Sequence, residues 1–338
     1  MIWQTIDIIT ENGLKQKAQA PIIVSASRST DIPAFYSDWF FHRLKEGYSA
    51  WVNPFNGKKS YISFENTRLI VFWSKNPEAL LHHLIELQQK EINCYIQFTL
   101  NDYVLEGLEQ GVPSVQTRID TFRRLVDKLG FGKVIWRYDP LILTETISVS
   151  SLLEKIELIG EQLNGYTEKL IFSFADITSY RGVKYRLEKN NIRYKEFDEN
   201  NMLLFARELS VLNNKWGYEL ATCGEEINLD TLGIKHNRCI DDNLIIKYFN
   251  NDKKLMKFIG YPEKYGQQLF SNNDINTNKD KGQRELCGCI HSKDIGEYDT
   301  CPHQCEYCYA NRQGKNIALS NYLRIKEKDF FSETITGK

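Results

Sequence analysis

Short apolar runs alternate with segments of helical period along most of this chain. Residues 21–26 (Pro-Ile-Ile-Val-Ser-Ala), Leu69–Trp73, Cys94–Asn101, Lys133–Tyr138, Lys169–Phe174 and Gly217–Thr222 have the continuous apolar character of parallel strands buried on both faces. Between them lie amphipathic helices. Pro33 opens one carrying Phe35, Trp39, Phe40 and Leu44, and a second runs through Leu80, Leu81, Leu84 and Leu87. Ser114 reads as the N-cap of a third, with Val115, Ile119, Phe122, Leu125 and Leu129, which Gly130 ends. Leu152, Leu153, Ile156, Ile159 and Leu163 mark a fourth, and Met202–Leu212 a fifth. Met1–Ile9 reads as a strand, and 48–64 as two short strands around the turn Asn53–Gly57. Strand, polar cluster and helix recur about six times, which predicts an α/β fold: a full or partial parallel βα (TIM-like) barrel. In such a barrel the chemistry sits at the C-terminal ends of the strands.

Length and charge narrow this further. The chain has 338 residues, 42% of them hydrophobic, enough for one large domain with a sizeable core. A polar stretch at 271–286 divides a barrel at 1–270 from a cysteine-rich tail at 287–338, expected to pack on the barrel mouth. The net charge of −1 gives no electrostatic reason to expect nucleic acid as a partner. No run is long enough to span a membrane, and the N-terminus lacks the pattern of a signal peptide. The expectation is a cytoplasmic protein with no membrane partner. In that reducing compartment eight cysteines favour metal binding or catalysis over disulfides.

Three of those cysteines stand out. Cys301, Cys305 and Cys308 fall within Cys301–Asn311, with Pro302 stiffening the first turn and Tyr307 placed to cover one face of whatever they hold. Soft thiolates this close converge on an iron–sulfur cluster or a zinc ion, and three ligands leave one coordination position open. Cys223, Cys239 and the pair Cys287-Gly288-Cys289, whose glycine permits a sharp turn, complete a set of four, the complement for a second iron–sulfur cluster or a tetrahedral zinc site. The alternative is that some of them are ordinary buried cysteines, as Cys94 is expected to be. His303, His236 and His291 lie near cysteines, whereas His82 and His83 look structural. The basic, tyrosine-rich run 178–197, including Tyr180, Tyr185 and Arg186, reads chiefly as a solvated helix face.

The Cys301–Cys308 stretch resembles the cluster loop of radical S-adenosylmethionine enzymes, C-x-x-x-C-x-aromatic-C, and Tyr309-Ala310-Asn311 resembles the branch related to spore photoproduct lyase. That resemblance implies a 4Fe–4S cluster on Cys301, Cys305 and Cys308, and S-adenosyl-L-methionine bound at the free iron. One electron would then cleave the cofactor to a 5′-deoxyadenosyl radical that abstracts hydrogen from a substrate, small molecule or macromolecule. An electron donor such as flavodoxin or ferredoxin is implied with it. The superfamily usually carries this loop after its first strand, whereas here it lies near the chain's end. For such an enzyme the strand-end groups are candidate cofactor ligands. Arg28, Lys75 and Arg137 are cations able to pair with a carboxylate, and Arg can do so through two hydrogen bonds. Asp31, Asp139, Asp176 and Glu225 are carboxylates able to receive an ammonium or ribose hydroxyls, and Asn76, Thr99 and Asn101 add neutral partners. Salt bridging across the barrel mouth is the competing role for each. The blocks Ser25–Pro33, Phe72–Pro77, Trp136–Pro140 and Cys223–Glu226 together resemble a microbial family known only as a domain of unknown function. Two further readings stay open: a hydrolase or lyase whose barrel is stapled by zinc or a cluster, and a nucleic-acid-binding or repair protein gripping single strands by stacking.

Overall fold

The computed structural model describes residues 2–261, 279–283, 286–328 and 330–338. The first half of the chain holds β1 (Gln4–Ile9), β2 (Lys15–Ala20), β3 (Ile23–Ala26), α1 (Ile32–Phe35), α2 (Ser37–Glu46), β4 (Tyr48–Val52), β5 (Lys59–Ser63), β6 (Leu69–Ser74), α3 (Leu84–Gln89), β7 (Asn93–Thr99), α4 (Val115–Leu129), β8 (Val134–Leu141), β9 (Leu143–Thr144) and α5 (Val149–Leu163). The second half holds β10 (Lys169–Phe174), α6 (Arg181–Lys189), β11 (Tyr194–Lys195), α7 (Glu199–Leu212), β12 (Glu219–Thr222), β13 (Lys235–His236), α8 (Asp242–Phe249), α9 (Lys253–Ile259), β14 (Lys293–Asp294) and α10 (Lys315–Lys328).

Eight strands form one all-parallel sheet in the order β13-β12-β10-β8-β7-β6-β3-β14. Except for β14, neighbours in the sheet follow one another in sequence, as in a βα barrel. The last strand, β14, returns to lie beside β3. Among the described residues β13 and β14 do not pair, consistent with the partial form of the expected full or partial barrel.

Burial on both faces explains the unbroken apolar runs. Along β6, Ile70 and Phe72 face the layer of outer helices, while Leu69 and Val71 join a second cluster on the opposite face with Ile23, Tyr95, Ile135 and Ile171. That second face is filled by Leu244, Ile245 and Phe249 of α8 and by Leu255, Met256 and Ile259 of α9, helices for which the sequence pattern gave no warning.

Local chemistry fixes the helix ends. The Ser114 hydroxyl accepts the Thr117 N–H (3.2 Å) and Gly130 ends α4 at φ 94°, as expected. The helix opened by Pro33 divides at Tyr36 into α1 and α2, and the one through Leu80–Leu87 splits into a 3₁₀ turn (Ala79–His82) and α3. The N-terminal lead forms two strands, not one. They build a small separate sheet, order β1-β2-β5-β4, with the strands flanking Asn53–Gly57.

Most of the polar stretch at 271–286 lies outside the described residues. The tail beyond it supplies the edge strand β14, and its last turn pairs with the small sheet through Ala50 N–H to Glu333 O (2.7 Å). No helix among the described residues is long and apolar enough to cross a membrane.

Phe72 is fully buried and meets Phe40 edge-on at 5.7 Å. Phe72→Ala is expected to lower unfolding free energy by about 3–5 kcal/mol, read from the shift in urea midpoint at unchanged slope.

Candidate functional site

Parallel pairing of β14 with β3 (Lys293 beside Val24, Asp294 beside Ser25) sends the chain out of the sheet at the same rim as every other strand. The Ile295 N–H continues the ladder to Ser25 O (3.2 Å), and the Asp294 carboxylate accepts the Arg28 backbone N–H (2.8 Å). The cysteine loop then lies across the C-terminal ends of β3, β6 and β7. Gly111 N–H donates to His303 O (2.9 Å), Glu306 N–H to Leu108 O (3.0 Å), and Glu109 bridges Cys305 in antiparallel fashion. A Cβ on Gly111 would stand 2.7–2.8 Å from the backbone of Pro302 and His303, so only glycine lets the two segments meet.

Below the loop is a buried polar network. Lys75 Nζ donates to Glu109 (2.7 Å) and to the Tyr307 hydroxyl (2.9 Å); Asn101 Nδ2 also donates to that hydroxyl (3.1 Å), which in turn donates to Glu109. Burial alone would raise the Glu109 pKa, but Lys75 and then Arg118 outweigh it and bring the carboxyl down to about 2. His303 pairs with Asp31 (2.8 Å) and, through Nδ1, with Gly111 O (3.2 Å). Asp31 also accepts the Lys75 N–H (2.8 Å) and caps α1 at Ala34 N–H (3.0 Å). Tyr307 is therefore the loop's anchor into the rim, where the sequence suggested a cover for a cluster face.

From the outer side, α6 grips the loop. Arg186, buried, donates to the carbonyls of Glu306 (3.3 Å), Asn311 (3.1 Å) and Cys308. The solvated-face expectation for 178–197 thus fails at Arg186, whose side chain serves as a clamp. Beside it a cavity of about 490 Å³ is lined by Tyr180, Arg181, Tyr298, Cys308, Tyr309 and Arg312. Cys305 is buried, and Cys301 and Cys308 are partly buried. Burial raises the Cys301 thiol, reinforced by Cys308 and Asp31; burial likewise raises Cys305, against the pull of Lys75.

The inner face of the sheet carries a second constellation. Arg28 and Arg137 both lie over the indole of Trp73, at 5.1 and 5.3 Å. Arg137 pairs with Asp139 and donates to Gln97 (3.2 Å) and to Cys239 Sγ (3.1 Å). Asp139 also accepts from Ser173 Oγ. Four of the five other cysteines gather here: Cys223 and Cys239 sulfurs are 3.3 Å apart, and Cys289 Sγ accepts the N–H groups of Cys239 (3.2 Å) and Ile240 (3.3 Å). Cys287 hydrogen-bonds Cys289, which together with Arg28 brings its thiol down to about 7 against the cost of burial. Gly288 has an ordinary φ; its missing Cβ, which would be 2.7 Å from Arg238 Cγ, makes room for that side chain and is not needed for a turn. Glu225 accepts the Phe174 N–H (2.9 Å), and burial raises it to about 7. Asn76 donates its backbone N–H to Ser74 (2.9 Å) while its side-chain oxygen is buried without a partner. No group of three or more His, Cys, Asp or Glu side chains among the described residues is ready-formed to hold a metal ion.

A family model described as "Domain of unknown function (DUF1848)" matches residues 23–310, a span that includes every cysteine above. The chain belongs to the DUF1848 family. No curated protein and no solved structure matches it.

In this DUF1848 chain the residues expected from sequence divide into two neighbouring groups. Asp31 and Lys75 are already engaged in holding the cysteine loop, while Arg28, Arg137 and Asp139 line the inner face with the second cysteine set. Glu225 stands apart, bound to the end of β10. Sequence reasoning missed Glu109, Gly111 and the clamp role of Arg186. Glu109 and Gly111 lie in an irregular segment between β7 and α4 with no periodicity to mark them, and only the -Gly-Leu-Glu-Gln-Gly- spacing hinted at a constrained turn. Cys94 is buried on β7, and burial lifts its thiol to about 12, as a core cysteine requires. His83 pairs with Asp38 and Glu86, in line with a structural role.

Two outcomes test this geometry. Arg186→Ala removes three hydrogen bonds from a charged donor and is expected to raise amide exchange across 301–311 at least tenfold, with slower exchange retained in β6 and β7. The depressed Glu109 contributes stability that is complete above about 4.5 and is lost as pH falls toward about 2, so Glu109→Gln is expected to flatten the acid limb of stability against pH in that window.

Proposed function

We propose that this chain is a radical S-adenosylmethionine enzyme in which Cys301, Cys305 and Cys308 hold a 4Fe–4S cluster. One observation carries the reading: the three-cysteine loop leaves the C-terminal end of β14, and β14 stands parallel to and beside β3. In sheet order β14 precedes β3, β6, β7, β8, β10 and β12, so the loop follows the first strand in space although it comes near the end of the sequence. The unusual position of the motif thus amounts to a circular permutation of strand order. The donor set fits the cluster in kind: three soft thiols on one short bend, held from below and from the side.

When bound, such a cluster with S-adenosylmethionine supplies a 5′-deoxyadenosyl radical for hydrogen abstraction. This chain's residues do the rest. The Lys75–Glu109–Tyr307 network and the Arg186 clamp fix the loop, and His303 with Asp31 orients its first turn. Arg28, on the inner face, has an Nη2 without a hydrogen-bond partner to offer a carboxylate, while Arg137 is engaged with Asp139 and Gln97. The cavity beside Cys308 offers aromatic faces from Tyr180 and Tyr309 and cations from Arg181 and Arg312 to a substrate.

Protein reconstituted without oxygen is expected to turn brown, to carry about four iron and four sulfide per chain, and to release 5′-deoxyadenosine from S-adenosylmethionine on reduction. Cys305→Ala should abolish both properties. Iron content unchanged by Cys305→Ala, or zinc bound by the trio instead, would overturn the reading.

A further inference from the structure

We propose that Cys223, Cys239, Cys287 and Cys289 form a second and separate metal site, a tetrathiolate that takes a single zinc ion and closes the seam between β13 and β14. The site does not depend on the cluster assigned to Cys301, Cys305 and Cys308.

Position is the first argument. The eight-stranded sheet is unpaired between β13 and β14 among the described residues, and the four cysteines flank that gap. Cys223 immediately follows β12, Cys239 follows β13, and Cys287 and Cys289 lie on the approach to β14. Across the gap the backbone makes an isolated bond, Ile290 N–H to Ile240 O (3.2 Å). A metal here replaces a missing ladder with four covalent-strength links between the sheet's two ends.

The surroundings are the second argument. Neutral thiols are poor hydrogen-bond acceptors, yet N–H groups converge on these sulfurs. Cys289 Sγ takes two consecutive backbone amides, from Cys239 and Ile240 (3.2 and 3.3 Å). Cys239 Sγ takes Asn237 Nδ2 (3.3 Å) and Arg137 Nη1 (3.1 Å). A second guanidinium, Arg28, has a buried Nη2 with no hydrogen-bond partner. Two guanidinium groups over one indole need anionic charge nearby; Asp139 pairs with Arg137, whereas Asp294 is hydrogen-bonded to the backbone N–H of Arg28. Four metal-bound thiolates around a divalent ion carry two net negative charges, which matches the two guanidinium groups.

Spacing is compatible with a single tetrahedral ion. The Cys223 and Cys239 sulfurs touch at 3.3 Å. A tetrahedron with Zn–S bonds of about 2.3 Å has sulfur–sulfur edges of about 3.8 Å. Opening the set by about 0.5 Å therefore admits one zinc ion, whereas a four-iron cluster would require far wider separation. Among the described residues no ready-formed coordination shell is present, so loading requires the cysteine side chains to rearrange.

The test separates this site from the cluster. A Cys301→Ala/Cys305→Ala/Cys308→Ala chain, purified and analysed by mass spectrometry of metals, is expected to retain about one zinc per chain. Adding Cys223→Ala and Cys289→Ala should remove it. If the added changes prevent folding, the zinc of the triple variant is exchanged for Co²⁺, and the tetrahedral tetrathiolate absorption is read directly. Absence of zinc and of that cobalt spectrum, iron in place of zinc in the triple variant, or a Cys223–Cys239 disulfide in protein prepared without oxidant would each overturn the proposal. Failure of the cluster assignment alone would leave the zinc result unchanged.

Discussion

The ion pair between Lys75 and Glu109, closed by the Tyr307 hydroxyl, is the contact on which the rest of this molecule turns. It joins the end of β6, the irregular segment after β7 and the cysteine loop near the C-terminus at one buried point. Charges removed from water are costly unless fully partnered, so breaking any one member leaves a stranded group and not merely a lost bond. Arg118 and Asn101 extend the network, and Gly111 permits the backbone approach that lets it form. The loop is held by long-range contacts at several points, which fixes its backbone against the strand ends.

The strand–helix alternation was readable because parallel strands buried on two faces leave unmistakable apolar runs, as at Leu69–Trp73 and Lys169–Phe174. The caps Ser114 and Gly130 were readable because their chemistry is local. What escaped notice was tertiary. Helices α8 and α9 carry ordinary amphipathic patterns, and nothing in them says that they plug the inner face. Arg186 sits in a run of charges that looks solvated, and its role appears only when the loop carbonyls of residues 306–311 are placed beside it. Glu109 gains its importance from Lys75 and Tyr307, 34 and 198 residues away. Of the site itself, the cysteines were visible from their spacing, whereas the distinction between residues that fix the loop and residues that face the interior was not. Asp31 and Lys75 look like ligand-binding groups in one dimension, and in three they also hydrogen-bond the loop.

Membership of the DUF1848 family carries no activity with it, so function must come from the site. Two sulfur-rich regions share one end of the sheet. One rests over the strand ends and opens toward a tyrosine-lined cavity; the other lies inward, near two guanidinium groups that both lie over Trp73.

The pairing of β3 with β14 also shapes how this protein can be made. Val24 waits for Lys293, so the edge of the nascent sheet at β3 stays open until almost the whole chain has left the ribosome. Exposed strand edges recruit unwanted neighbours, and distant pairings form slowly. A chain interrupted before β14 would therefore carry an uncovered strand edge at β3, the kind of surface that invites aggregation during translation.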